Sequence, residues 1–138
     1  MTAAPSRVVI RCTADDEPFV GAYVIVSLPM WSKNQYALLF GPSDERGLIS
    51  ISADDLTRQA RHEEAAFPMD YVSFPAKWAG GIGAEILDAD GVQRLREAIS
   101  VWGDGHLPAL LAGDLDGYET RIRRFAHQRL VAEVARTT

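Results

Sequence analysis

The sequence has a single cysteine, no long apolar run and no excess of positive charge. One cysteine, Cys12, cannot form an internal disulfide or a cysteine-based zinc site, and it favours a reducing compartment. The formal net charge of −5 argues against nucleic acid as a partner, because binding a phosphate backbone requires a concentrated cationic surface. No apolar run approaches the length that would span a membrane, so we expect no membrane partner.

The composition of the 138 residues, 47% hydrophobic and 24% charged, is typical of one globular domain that spans residues 1–138. A chain of this length can bury a sizeable core without disulfides or metals. Residues 1–6 lack the positive region and apolar core of a signal peptide. We therefore expect a cytoplasmic protein.

The first half of the chain has the pattern of an antiparallel meander. Short apolar segments alternate with turn residues, and we predict strands over 7–12, 20–28, 35–40 and 48–51. In the first strand Cys12 shares a face with Val8 and Ile10, so we interpret it as a buried, unreactive residue. Gly47 is the expected residue of positive φ in the third connection, and Asp44 can close an Asx turn there.

The pattern changes after the fourth strand. Ser52 and Asp55 have the spacing of a capping box, which predicts a short helix near 53–66, followed by strands over 69–74 and 82–87. From residue 88 onward the chain is predicted to be helical, with Asp88 or Asp90 as an N-cap. Two amphipathic helices are indicated, one by Val92, Leu95, Ala98, Ile99 and Trp102, the other by Tyr118, Ile122, Phe125, Leu130 and Val134.

No residue cluster matches a metal-binding, cofactor-binding or catalytic motif. The histidines His62, His106 and His127 lie on three different predicted elements without ligand spacing, so we expect no metal and no cofactor. No serine lies in a G-x-S-x-G elbow. A catalytic site assembled from distant residues stays open, and its best candidates are His62, Asp70 and Tyr71.

Two loops each carry a tryptophan and a lysine. One includes Met30, Trp31 and Lys33, and the other includes Lys77 and Trp78. A tryptophan in such a loop either folds back onto the core or is presented to a partner. We predict that these five residues form the partner-binding surface, with core packing of both tryptophans as the alternative.

The segment Gly21-Ala22-Tyr23-Val24-Ile25-Val26, followed by residues 40–51, resembles the prealbumin (transthyretin)-like and carboxypeptidase-regulatory-like β-sandwiches. The resemblance covers residues 7–74, and 52–66 lie where transthyretin has a short helix. The chain departs from that family after residue 88 and lacks the Tyr-Arg-Gly-Ser ending of the hydroxyisourate hydrolases, so that activity is not implied. The resemblance implies a binding or assembly scaffold.

These observations predict an α+β protein: an N-terminal antiparallel prealbumin-like β-sandwich or curled sheet, completed by two C-terminal helices packed on the sheet. The function we expect is that of a noncatalytic protein-interaction module, such as an accessory or adaptor subunit or an immunity-type inhibitor of a bacterial effector. The expected partner is another protein, and a homo-oligomer stays open as well. A small hydrolase is the alternative from a different functional class.

Overall fold

The computed structural model describes residues 7–28, 36–52, 55, 83–102 and 107–137. Within these ranges the chain is an α+β protein with two antiparallel sheets and three helices, which confirms the fold class at this level. The strands are Arg7–Ala14 (β1), Glu17–Pro18 (β2), Val24–Leu28 (β3), Tyr36–Phe40 (β4), Leu48–Ser52 (β5), Gly83–Ile86 (β6) and Leu130–Thr137 (β7). The helices are Ala89–Trp102 (α1), Ala109–Gly113 (α2) and Leu115–Arg123 (α3).

Strand β1 is the centre of the first sheet. It pairs with β7 along its whole length, and on its other side with β5 and, at its end, with β2. Val8, Ile10 and Cys12 have no exposed surface, whereas Arg7 and Arg11 on the opposite face are exposed. The alternation predicted for this strand, and the burial of Cys12, are confirmed.

The second sheet has β3 between β4 and β6. Val24 and Val26 of β3 are fully buried, as their alternation predicts. The strand begins at Val24 rather than at Val20, because the residues before it are bound to the loop after β4. Gly21 donates its N–H to the Ser43 carbonyl oxygen at 3.0 Å, and Ser43 returns an N–H to the Ala22 carbonyl at 2.9 Å.

The turn that leads into β5 has the predicted chemistry. The Asp44 carboxylate accepts hydrogen bonds from the backbone N–H groups of Leu48 at 3.0 Å and Arg46 at 2.9 Å. These bonds lower the pKa of the Asp44 carboxyl, and the bond from Leu48 contributes more than the bond from Arg46. Gly47 has φ +77°, and a Cβ there would lie 2.6 Å from the Cys12 carbonyl oxygen, so the turn requires glycine.

Helix α1 begins as the sequence predicts. The Asp88 carboxylate accepts a hydrogen bond of 2.7 Å from the Gly91 N–H, which confirms Asp88 as the N-cap. The helix buries Val92 and joins α3 through Arg96, whose guanidinium contacts Asp116 and lies 2.8 Å from Glu119. Hydrogen bonds from Arg123 and then Arg96 lower the pKa of Glu119.

The C-terminal segment corrects the prediction of two closing helices. The helical spacing of Tyr118 and Ile122 is real, and both are buried on α3. The helix ends at Arg123, and Leu130 and Val134, which we placed on the same helix, belong to β7. Leu130, Ala132 and Val134 alternate along β7 and pack against the core, because pairing with all eight residues of β1 outweighs the local helical pattern.

The core lies between these sheets and helices and includes Val24, Val26, Ile49, Ile51 and Ile122. The capping contact after β5 is also present, since the Asp55 N–H donates to the Ser52 hydroxyl at 3.0 Å. The rest of the helix predicted near 53–66 and the strand predicted over 69–74 lie outside the described residues. In the part of the chain that the structure describes, no helix is both long and apolar enough to cross a membrane.

Candidate functional site

A pocket of about 540 Å³ lies where the loop before β3, the loop after β4 and helices α2 and α3 meet. We call it the Tyr23 pocket, after the aromatic residue that lines it. The residues that line it are Val20, Gly21, Tyr23, Pro42, Ser43, Leu110, Leu111, Asp114 and Arg121.

The inner part of the pocket is tightly held. Tyr23 and Leu111 are 2% and 1% exposed, and the Tyr23 ring meets the Tyr118 ring edge-on with centroids 5.1 Å apart. The Tyr118 hydroxyl donates to the Leu87 carbonyl at 2.7 Å and accepts from the Tyr23 N–H at 3.3 Å. The Leu87 N–H in turn donates to the Tyr23 carbonyl at 2.7 Å. These bonds fix the backbone of Tyr23 to both β6 and α3.

Gly41 allows the loop after β4 to approach the Tyr23 ring. A Cβ at this position would lie 2.7 Å from Tyr23 Cδ1 and 2.8 Å from the Ala22 carbonyl oxygen, and its φ of +147° also favours glycine. The peptide bond from Gly41 to Pro42 is cis. The close approach brings Pro42 and Ser43 into the pocket wall.

Ser43 is a structural residue rather than a free nucleophile. Its side chain is buried, its Oγ donates to the Phe19 carbonyl at 2.5 Å, and the same oxygen accepts from the Ala22 N–H at 2.8 Å. Both bonds tie the loop after β4 to the loop before β3. The hydroxyl is thus engaged in holding the pocket together.

The hydroxyl group of Tyr23 differs from that of Ser43. Within the described ranges this hydroxyl makes no hydrogen bond, although only 2% of the surface of Tyr23 is exposed. Burial raises its pKa, the Arg121 charge lowers it and the Asp114 charge raises it, so the phenol lies near both pocket charges. It stays protonated at neutral pH and can donate a hydrogen bond. An unpaired buried hydroxyl is costly, which favours a ligand or water at this position.

Two exposed apolar side chains stand on the rim of the pocket. Val20 is 57% exposed and Leu110 is 63% exposed. They are the large hydrophobic residues that the described part of the chain leaves exposed, and both line the same pocket. Single exposed apolar side chains are ordinary on protein surfaces, but two of them at one concave site are typical of a contact surface.

Arg121 and Asp114 provide the charges of the pocket. The Arg121 guanidinium carbon lies 5.4 Å from the centroid of the Tyr118 ring, and a Cβ on Gly21 would lie 3.0 Å from its Nη1. Asp114 lies just before α3, and Arg121 lies in the last turn of that helix. Neither forms an ion pair with another residue of the described ranges. Both charges are therefore free to meet a ligand.

A second pocket, of about 610 Å³, lies between α1 and the two later helices. It also contains an arginine, Arg96, but that guanidinium is already bonded to Asp116 and Glu119. The arginine of this second pocket is paired within the protein, whereas Arg121 of the Tyr23 pocket has no ion pair with another residue of the described ranges. The Tyr23 pocket is therefore the better candidate for a functional site.

The predicted partner-binding residues, Met30, Trp31, Lys33, Lys77 and Trp78, all lie outside the described residues, as do the catalytic candidates His62, Asp70 and Tyr71. Of the remaining polar candidates, Cys12 is buried, and burial raises the pKa of its thiol to about 11. His127 is exposed. No three of the described histidines, cysteines and carboxylates converge on a common point.

Sequence reasoning missed the Tyr23 pocket. It placed Val20 in the strand over 20–28, Gly41 to Ser43 in the connection between two strands, and Leu110 between the two helices. The one available signal was the Gly-Pro-Ser triplet, whose composition indicates a tight turn but not what packs against it. Comparison of the chain with protein-family models, curated proteins and solved structures finds no match to any of them.

Proposed function

We propose that this protein is a noncatalytic protein-interaction module, an accessory or adaptor subunit or an immunity-type inhibitor of a bacterial effector, and that its partner docks at the Tyr23 pocket. The observation that carries the proposal is the exposure of Val20 and Leu110 on the rim of one pocket. Its action would take place in the cytoplasm, on a partner that is neither nucleic acid nor membrane.

The physical argument is that of an interface anchor site. Binding energy in protein interfaces concentrates where an apolar side chain of the partner enters a well-packed pocket surrounded by contacts that exclude water. Tyr23 and Leu111 provide the packed inner part, and Val20 and Leu110 provide the apolar rim. The engagement of the Ser43 hydroxyl with Phe19 and Ala22 supports binding rather than nucleophilic catalysis at this pocket.

We also propose that the two sheets form a variant of the prealbumin-like sandwich, with the loops that carry Trp31 and Trp78 as a second contact region. The order of β3, β4, the Asp44–Gly47 turn and β5 along the chain supports this proposal, because the resemblance rests on the same succession of segments, with β4 and β5 here in different sheets. Rigid sheets that present loops at one end are common scaffolds for recognition.

A photo-activated cross-linking residue at position 110 tests the function directly. The variant is expressed in the cells that make the protein, and a second variant carries the same residue at position 112. Ala112 is exposed on the same helix as Leu110 but does not line the Tyr23 pocket. We expect position 110 to give a covalent adduct of discrete mass with one other protein, and position 112 to give none.

The adduct at position 110 should also decrease when unmodified protein is added in excess, and it should not decrease when the added competitor carries Val20→Ser and Leu110→Ser. Equal adducts at positions 110 and 112, or no adduct at position 110, would contradict the proposed function.

A further inference from the structure

We infer that the Tyr23 pocket takes an acidic segment of the partner protein, in which an apolar side chain lies next to a carboxylate. The inference rests on the proposed function and specifies the chemistry of the partner. The apolar side chain would pack against Val20 and Leu110, and the carboxylate would accept hydrogen bonds from the Arg121 guanidinium and the Tyr23 hydroxyl.

The charge near the pocket is opposite to that of the whole chain. The protein has a net charge of −5, yet the stretch Arg121-Ile122-Arg123-Arg124-Phe125-Ala126-His127-Gln128-Arg129 contains four arginines, one histidine and no acidic residue. All five basic residues are exposed. This local cationic surface favours an anionic ligand in a protein that otherwise repels one.

The arginines differ in whether they are already paired. Arg123 lies 2.7 Å from Glu119, one helical turn away, and is thus neutralised by its own helix. Arg121, Arg124 and Arg129 have no ion pair with any residue of the described ranges, and Arg124 is the C-cap of α3, three residues after Arg121. Of these unpaired arginines, Arg121 is the one that lines the pocket.

The pocket also supplies hydrogen-bond donors of the kind that a carboxylate accepts. A guanidinium group presents parallel N–H donors that match the two oxygens of a carboxylate. The Arg121 group is positioned over the Tyr118 ring at 5.4 Å from its centroid, which limits its freedom before binding. The Tyr23 hydroxyl, buried and without a hydrogen bond in the described structure, provides a further donor.

Asp114 sets a limit on the charge of the ligand. Its carboxylate lines the same pocket at the start of α3, whereas Arg121 lies in the last turn of that helix, and the two charges shift the pKa of the Tyr23 phenol in opposite directions. A second carboxylate on the ligand would be repelled at that end. We therefore expect Asp114→Asn to strengthen the binding of acidic peptides and to relax the selection for a single acidic group.

An acidic protein segment fits these observations better than a nucleic acid. The apolar rim formed by Val20 and Leu110 offers nothing to a phosphate backbone, and the net charge of −5 opposes its approach. A peptide can satisfy both the apolar rim and the guanidinium at once.

A selection from a displayed library of random peptides, with the intact protein immobilised, tests the inference. We expect the enriched peptides to share an apolar residue next to aspartate or glutamate, and to lose enrichment on the Leu110→Ser protein. A synthetic peptide of the enriched sequence should bind Arg121→Gln roughly tenfold or more weakly than the unmodified protein. The matched control is Arg123→Gln, which removes an equal charge outside the pocket and should change the affinity less than about threefold.

Three outcomes would overturn the inference. Leu110-dependent peptides without acidic residues would exclude the acidic segment while leaving the proposed function intact. A selection that yields no Leu110-dependent peptide would also overturn it, and cross-linking at position 110 would then decide separately whether the proposed function holds. Binding of a fluorescent single-stranded RNA that Arg121→Gln weakens more than Arg123→Gln would assign the cationic surface to nucleic acid instead.

Discussion

The hydroxyl group of Tyr118 donates a hydrogen bond of 2.7 Å to the carbonyl oxygen of Leu87, which joins α3 to the residue after β6. Tyr118 is 1% exposed, and burial raises the pKa of its phenol to about 12. Tyr118→Phe leaves the Leu87 carbonyl without its partner in a buried site. We expect a loss of about 1–3 kcal/mol in the free energy of unfolding, measured by urea denaturation.

Tyr23→Phe is the matched control, because its hydroxyl is also buried but makes no hydrogen bond within the described residues. We expect it to leave the free energy of unfolding unchanged or slightly higher, and to weaken binding of acidic peptides. Equal destabilisation by the two substitutions would contradict the distinction between a structural tyrosine and a ligand-binding one.

Cys12 should be inert in the folded protein. It has no exposed surface, and its pKa of about 11 keeps the thiol protonated at neutral pH. The pKa of this thiol in the folded state is above the unfolded value of about 8.5. The thiol therefore contributes to the free energy of unfolding below a pH of about 8.5, and this contribution is lost as the pH rises through the folded-state pKa. Labelling with a thiol reagent should be slow in buffer and fast in denaturant. Rapid labelling in buffer would show that the β1 face is open to solvent.

Glu119 should make the free energy of unfolding decrease as the pH falls into the acid range. Its pKa is lowered by Arg123 and Arg96, so its contribution is present above the unfolded pKa of about 4.3 and disappears as the pH falls through the lower folded value. Glu119→Gln should decrease the urea midpoint at pH 7 and have no effect once the carboxyl is protonated. Glu97→Gln, on the exposed face of α1, is the control. A difference between Glu119→Gln and the parent that is constant with pH would contradict the ion-pair explanation.

The tryptophan loops remain a separate prediction from the sequence. If Trp31 and Trp78 contact the partner, Trp→Ala at either position should weaken binding by about 2 kcal/mol or more with little change in stability. If they belong to the core, the same changes should cost about 3–5 kcal/mol in unfolding free energy. Thermal unfolding and an affinity measurement on the same variants separate the two cases.

The sequence predicts those structural elements that are determined by residues close together in the chain. The alternation of Val8, Ile10 and Cys12 indicates β1, Asp44 and Gly47 indicate the turn before β5, and Asp88 indicates the start of α1. Each of these depends on neighbouring residues and on the fixed period of a strand or helix.

The features that the sequence does not predict depend on distant contacts. Residues 130–137 form a strand because they pair with β1, which lies more than 100 positions earlier in the chain. Val20 is exposed because the Ser43 side chain is bonded to Phe19 and Ala22 and so holds the loop before β3 in place. The Tyr23 pocket combines residues from four separate segments, from Val20 to Arg121. No residue spacing within any one of these segments indicates that the four come together in the fold.

The most direct measurement is the affinity of the doubly substituted protein, Val20→Ser with Leu110→Ser, for the partner captured at position 110. Both side chains are exposed, so the free energy of unfolding should change by no more than about 1 kcal/mol. We predict that binding weakens by about 2 kcal/mol or more, close to a thirtyfold rise in Kd, while Ala112→Ser leaves it unchanged. An affinity equal to that of the unmodified protein, with the fold intact, would contradict the assignment of the Tyr23 pocket as the docking site.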